Sequence, residues 1–337
     1  MARFILRRVL ISIVLLLIAS FLCFALVQML GDPIGEWAEG QRQRNPNGAD
    51  AAIAAAYQRA GLDTPFLTRY WNWLTGFVSG DWGTTVNPGQ TAQEVQPKIM
   101  HSLWITIRLV LGAELLAIAC GCLVGVLTAV KRYSWFDYLV TAFSFLMFAL
   151  PIFCVAVLLK IGGIQFNNAL QANGFDRWLV TSGFPPGGFT GSFGNQVYQY
   201  VGVYLLPTLS LLAISFAVYA RYQRSSMLDV LSSDYVRTAR AKGISNKRVI
   251  WKHAFRNALI PVVTVGSLSI GTAFAGAIIT ETVFGWQGMG FVLVQNVGRK
   301  EPYMILAFLM VTGVFIILFN LIADIAYTLL DPRIRLD

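Results

Sequence analysis

Apolar residues in this chain gather into long unbroken runs instead of alternating or recurring every third or fourth position. About 20 helical residues, rising about 1.5 Å each, cross a hydrocarbon core of about 30 Å. Six runs reach that length: Val9 to Leu30, Leu103 to Val130, Tyr138 to Ile161, Val201 to Ala220, Val262 to Thr280 and Tyr303 to Leu330. The pattern predicts an all-α integral membrane protein with six transmembrane helices. The first run follows Arg7 and Arg8, as a secretory or twin-arginine signal would, yet it is longer than a signal's apolar stretch and lacks a small-residue cleavage site. It is read as a retained helix.

Between the runs, the chain divides into an N-terminal tail with the first span (1–30), an outside loop (31–101) and a core (102–337) whose later spans lie near 103–130, 138–161, 201–220, 262–280 and 303–330. The first loop holds an amphipathic helix around Asp50 to Gly61. It then carries Tyr70-Trp71-Asn72-Trp73, an aromatic group of the kind that rests at a membrane interface. A second outside segment, 162–200, is rich in Gly, Pro and Asn, including Pro185-Pro186-Gly187-Gly188, and reads as an irregular surface loop.

Composition agrees: the 337 residues are 56% hydrophobic and 13% charged, with a mean hydropathy of +0.60, outside the soluble range. Orientation follows from the basic residues. With the N-terminus in the cytoplasm, Arg3, Arg7, Arg8, Lys131, Arg132, the nine Lys and Arg from Arg221 to Arg256, Arg333 and Arg335 fall inside. Arg42, Arg44, Arg59, Arg69, Lys98, Arg177, Arg299 and Lys300 fall outside, mostly in the long first loop, where the positive-inside rule has little force. Both termini are therefore placed in the cytoplasm, and the net charge of +9 reflects topology instead of a nucleic-acid partner.

Catalytic motifs are missing. The chain has no GxxxxGK[ST], Gly288-Met289-Gly290 lacks the third glycine of a dinucleotide loop, and neither HExxH nor GxSxG occurs. Cys23, Cys120, Cys122 and Cys154 all sit within spans, and His101 and His253 are on opposite sides, so no metal site is expected. No cofactor is expected in this chain either. Small residues recur every fourth position, at Ala117, Gly121, Gly125 and Ala129 and again at Ser267, Gly271 and Ala275, which lets helices approach closely. Arg108, Glu114, Lys160, Asn320 and Asp324 fall within spans, where ionisable and polar groups face a bundle interior or a wet path. Arg108, Glu114 and Asn320 are the candidates for a translocation path, whereas Lys160 and Asp324, near span ends, fit snorkelling to the headgroups.

The loop at 221–261 contains SSDYVRTARAKGISNKRVIWKHAFRNALIP. Ser232, Ser233 and Asp234 offer helix caps, YVRTARAK follows as a short helix, and Gly243 ends it at a left-handed position. Ser245 or Asn246 then caps a second helix that runs to Pro261. At 100° per residue, Tyr235, Val236, Ala239 and Gly243 share one side, with Arg237 and Arg240 turned away. That small face has no core in the loop to bury it and implies a partner, either a protein groove or an anionic membrane surface.

DYVRTARAKGISNKRVIWKHAFRNALIP closely resembles the cytoplasmic loop of the dipeptide/oligopeptide permeases, the membrane subunits of binding-protein-dependent ABC importers. In that family an acidic residue and two alanines precede the glycine; here Arg237, Thr238 and Ala239 stand in those places, and Arg256-Asn257 replaces a proline of many relatives. RRVLISIVLLLIASFLCFALVQMLGDP, GLDTPFLTRYWNWLTGFVSGDWG, ETVFGWQGMG and LLDPRIRL are also similar to the family, so the resemblance covers nearly the whole chain.

The resemblance implies a type I ABC importer permease architecture in a prokaryotic plasma membrane. It implies a second homologous permease completing the path, two ATPase subunits (or a fused or heteromeric pair) binding ATP and Mg, and an extracytoplasmic peptide-binding protein delivering cargo. It further implies that Asp234, Tyr235, Val236, Arg237, Thr238, Ala239, Arg240, Ala241, Lys242, Gly243 and Ser245 couple to the ATPase through the small face of the short helix. The segments around Tyr70 to Trp82 and 162–200 are expected to face the binding protein. Short peptides are the expected cargo, with nickel, glutathione or another small solute as the alternative.

Overall fold

The computed structural model describes residues 2–45, 47–88, 91–184 and 189–330. The Pro185-Pro186-Gly187-Gly188 run and the tail from Asp331 to Asp337, with most of LLDPRIRL, lie outside the described residues. Among those described, all regular structure is helical except one antiparallel bridge between Thr84 and Glu94.

The helices run in the order α1 (Ala2–Gln28), α2 (Gly35–Arg44), α3 (Ala49–Arg59), α4 (Phe66–Ser79), α5 (Val95–Val130), α6 (Trp135–Ala149), α7 (Ile152–Ala172), α8 (Phe193–Leu231) and α9 (Asp234–Ala241). Then come α10 (Asn246–Arg248), a π-helical turn at Val249–Ala254, α11 (Phe255–Ala258), α12 (Ile260–Val283), α13 (Met289–Gly298) and α14 (Pro302–Leu330).

Among the described residues, five helices are long and apolar enough to cross a membrane: Leu6–Gln28, Val95–Val130, Ile152–Ala172, Phe193–Leu231 and Pro302–Ile325. The pair Asn246–Ala258 and Ile260–Gly271, bent by 46°, supplies a sixth if it acts as one span. The predicted span from Tyr138 to Ile161 needs correction, because it is broken after α6. Leu150 is extended (φ −82°, ψ 130°) before Pro151, which lacks an N–H and disfavours helical geometry in the residue before it. At 15 residues, α6 is about 22 Å long and too short to cross alone.

α7 then continues through Gly162 and Gly163 to Ala172, and α8 begins at Phe193, so the supposed irregular loop at 162–200 shrinks to 173–192. The stretch at Trp178 and Leu179 is fastened down. Asn167 accepts from the Trp178 and Leu179 amides (3.2 and 3.1 Å) and donates to the Leu179 carbonyl (2.7 Å). The Trp178 indole donates to the Tyr198 carbonyl at 3.0 Å.

The chain forms two compact units, Met1–Thr106 with Gln287–Phe315, and Ile107–Trp286 with Ile316–Asp337. In the first, α4 packs its aromatic face on α1 and the start of α14. Phe24, Val27, Trp73, Ile305, Leu306 and Met310 are buried together, and Tyr70 shares a hydrogen bond with Ser20 at 2.8 Å. The aromatic group expected at the interface is therefore split: Trp73 is internal, while Trp71 is exposed. Asp32, in the Gly31-Asp32-Pro33 turn, accepts from the Ile34 amide (2.9 Å) and from the Tyr57 hydroxyl. This hydrogen bond to a carboxylate pushes the Tyr57 phenol up to about 12. α3 lies where the amphipathic helix was expected, burying Ala49, Ile53 and Ala56 against Ile34 and Ala38.

In the second unit, α5, α6, α7 and α12 all pack on α8 or its neighbours. The small-residue stripe on α5 does what its spacing predicts: a Cβ on Gly121 would lie 2.7 Å from the Tyr219 Cβ, and one on Gly125 would lie 2.7 Å from the Ala220 carbonyl oxygen. On α12, a Cβ at Gly271 would meet Phe319 and Ile316 of α14 at 3.4 and 3.5 Å. Arg224 of α8 makes a two-point fork with Asp137 at the start of α6 (2.7 and 2.8 Å).

Candidate functional site

The predicted coupling residues form α9 and its exit. Ser233 occupies the N-cap with extended geometry, but its hydroxyl turns back to the Val230 carbonyl at 2.6 Å instead of capping. The other end is built as the glycine predicts. Gly243 has φ +75°, its amide donates to the Arg240 carbonyl (3.0 Å), and the Ile244 amide donates to the Ala239 carbonyl (3.3 Å). Those two bonds make a Schellman stop, with Ile244 packed beside the helix it terminates. Ser245 follows at the next N-cap, without a side-chain hydrogen bond, and its carbonyl accepts from the Val249 amide at 3.0 Å.

The expectation of an unpartnered small face is overturned. Val236 is 0% exposed and Ala239 8%, because both insert into a cluster with Val126 and Ala129 of α5, Met227 of α8, and Val249, Ile250, Ala254 and Ala258. The π-helical turn at Val249–Ala254 supplies three members of that seat, closing over α9 from the far side. Of the face that periodicity predicted, Val236 and Ala239 are buried while Tyr235 and Gly243 are exposed, and periodicity could not reveal that a segment only a few residues downstream folds back on the buried pair. Asn257 adds a polar tie, donating to the Tyr235 hydroxyl at 2.9 Å.

The surface left to a partner is therefore the polar one: Asp234, Tyr235, Arg237, Thr238, Arg240, Ala241, Lys242, Gly243 and Ser245 are exposed. Arg237 and Asp234 approach to 3.5 Å, but both side chains are largely in solvent, so the pair contributes little.

Of the three predicted path residues, Glu114 is buried inside the second unit. Its two carboxylate oxygens accept from Ser215 and Tyr219 of α8, each at 2.6 Å, so it ties α5 to α8. Arg108 is exposed, with its guanidinium beside the Tyr204 hydroxyl. Asn320 is half-buried on α14, and the structure does not bring it together with the other two. Lys160 has a role the snorkelling reading missed: its ammonium donates to the Val283 carbonyl at 2.5 Å, at the C-terminal end of α12, where unpaired carbonyls attract cations.

Comparison with known proteins decides the family. Residues 121–336 match the binding-protein-dependent transport system inner membrane component, and residues 1–109 match that system's N-terminal membrane component. The chain belongs to this family of transport permeases. It is 35% identical over 335 residues to the oligopeptide transport system permease protein OppB of Mycobacterium tuberculosis, covering 99% of each chain. It is 35% identical over 338 residues to the oligopeptide transport system permease protein AppB of Bacillus subtilis, covering 99% of this chain and 100% of that one. Over 342 residues it is 35% identical to the glutathione transport system permease protein GsiC of Salmonella typhimurium, covering 99% of each. A crystal structure of an amino acid ABC transporter aligns over 71% of this chain at 15% identity, with a TM-score of 0.42. The permease is a multi-pass inner membrane transport component that carries out no covalent chemistry of its own.

Proposed function

We propose that this permease forms half of the translocation path of an ATP-driven importer of short peptides. The observation that carries this reading is full-length identity to two oligopeptide permeases. Equal identity to a glutathione permease favours glutathione as the second candidate, and glutathione is itself a tripeptide. In this reading a second homologous permease completes the path, two ATPase subunits bind ATP and Mg, and a peptide-binding protein delivers cargo from outside. The loop containing α9 lies on the cytoplasmic side, as the basic residues indicate.

ATP binding closes the ATPase pair and loads the exposed strip of α9, Tyr235, Arg237, Thr238 and Arg240 above all. Val236 and Ala239 pass that load to α5 and α8 through the cluster beneath. Access then switches because packed helices have discrete arrangements that both ends bias. Arg108 and Asn320 are the proposed path residues, with Glu114 holding the helices that frame it. Exposed Trp71 and the 173–192 loop are the surfaces proposed to meet the binding protein.

The test is uptake of labelled di- to pentapeptides in cells with and without this subunit. Loss of uptake on deletion, restored by the gene, is expected. Peptide uptake that does not depend on the subunit would overturn the reading, and uptake restricted to glutathione would transfer it to the second candidate.

A further inference from the structure

The first unit contains a cavity of about 590 Å³ that the transport reading leaves without a role. It is built from the end of α3, from α4, from residues 81–88 and from the start of α14, all in or beside the loop assigned to the outside. Its volume falls within the roughly 300–1,000 Å³ of small-molecule sites.

The lining has two chemistries. Trp73, Trp82 and Tyr303 supply large, rigid aromatic walls, and the Trp82 indole is already held by the Phe77 carbonyl at 3.1 Å. Arg59 and Arg69 supply two cations. Neither has a carboxylate partner among the described residues: Arg59 donates to the Ala55 carbonyl (3.2 Å), Arg69 donates to Gln28 (3.0 Å), and the Arg69 Nε has no acceptor. Asp81 is the sole acidic lining residue, and it is exposed and engaged with the Gly83 amide at 3.1 Å. The lining thus carries an excess of positive charge beside apolar walls.

The wall at 83–88 is fixed, not collapsible. Glu301, buried at 1% exposure, accepts from the Val86 and Asn87 amides at 2.7 and 2.9 Å. The Thr84–Glu94 bridge holds the same stretch from the other side. A prebuilt concave site with two guanidinium groups that have no carboxylate partner among the described residues matches a small ligand that has one carboxylate and adjoining apolar side chains.

We propose that this cavity is a second peptide site, separate from the translocation path, that holds the C-terminal carboxylate of a short apolar peptide on Arg59 and Arg69. The choice of ligand rests on the peptide-import reading. A docking loop of the binding protein would instead require a broad contact surface, about 800 Å² per partner, whereas the lining here converges on a single concave site of small-ligand size.

The experiment uses the complete transporter in nanodiscs without its binding protein, titrated with fluorescent Ala-Leu-Phe and with the same peptide as its C-terminal amide. Saturable binding of the acid, at least tenfold weaker for the amide and for Arg59→Gln, is expected, with Arg59→Lys retaining most of it. Arg59 is exposed, so its variants fold; Arg69→Gln is the second arm, read alongside thermal unfolding. Equal binding of acid and amide, or Arg59→Gln and Arg69→Gln binding as wild type, overturns the proposal. So does a result in which these variants lose binding-protein association but not peptide. Uptake by the complete system is measured in parallel: normal uptake with no cavity binding defeats this inference alone, whereas cavity binding without any peptide uptake defeats the import reading.

Discussion

Truncating Val236 to alanine separates the two ways of reading α9. The side chain is fully buried beneath the helix, so Val236→Ala removes two methyl groups from a packed site and leaves a small void. At about 0.8 kcal/mol per buried carbon plus a cavity contribution, the loss is about 2 kcal/mol. It falls on a local element, and by the relation of about 1.4 kcal/mol per tenfold it raises the opening of α9 roughly 30-fold. Hydrogen exchange reads this directly at the Gly243 and Ile244 amides, whose acceptors are carbonyls of α9. Arg237→Glu, on the exposed side, leaves their exchange within about twofold of wild type but weakens ATPase co-purification. If Val236→Ala leaves exchange unchanged and removes the ATPase at full strength, while Arg237→Glu keeps it, the small face meets the partner and the internal seat is wrong.

Four other outcomes follow from the same contacts. Gly243→Ala at φ +75° destabilises the α9 exit by about 1 kcal/mol, seen as faster exchange at Ile244 although no atom lies within 4 Å of the new Cβ. Gly125→Leu, whose side chain meets α8 backbone, abolishes folded yield on size exclusion, whereas Gly112→Leu, with open space around it, does not. Asp137→Asn leaves the Arg224 fork half-satisfied and lowers thermal stability by about 1–3 kcal/mol, with the Asp137→Asn/Arg224→Met pair less damaging than the sum of the single changes. Glu301→Gln retains one acceptor for two amides, so exchange at Val86 or Asn87 rises by roughly tenfold in a mass-spectrometric time course.

What the sequence disclosed and what it withheld divide along a physical line. Length and hydropathy disclose crossing helices, because the bilayer sets both thresholds, and the Gly243 stop was legible because a positive φ almost demands glycine. The break at Leu150 was missed: Pro151 signals it, but the apolar run on both sides concealed it. Conversely, Gly162-Gly163 looks like a breaker and lies inside α7, where the Leu206 side chain occupies the space a Cβ on Gly163 would take. Glycine there serves close approach, and only the neighbouring helix reveals the difference. Pairings such as Glu114 with Tyr219, or Glu301 with the Val86 amide, join residues more than a hundred positions apart, and no periodicity encodes them.

The seat of α9 also constrains how force can travel on the coupling reading. Met227 and Val126 share its cluster, and Gly125, next to Val126, lies so near α8 that a Cβ on it would come within 2.7 Å of the Ala220 carbonyl oxygen. A push on α9 therefore meets α5 and α8 where they are locked together, and the pair must move as one body instead of sliding. One turn above Met227, Gln223 is fully buried against Gly125, with neither amide atom hydrogen-bonded among the described residues. An unsatisfied buried amide costs about 1–3 kcal/mol, so this arrangement of the α5–α8 contact is raised in energy relative to one that gives Gln223 a partner. Gln223→Met, of similar length and without the amide, removes that bias. The expected result is a more thermally stable permease with slower peptide uptake at unchanged ATPase association. A variant less stable than wild type would show that Gln223 is satisfied after all and that the bias does not exist.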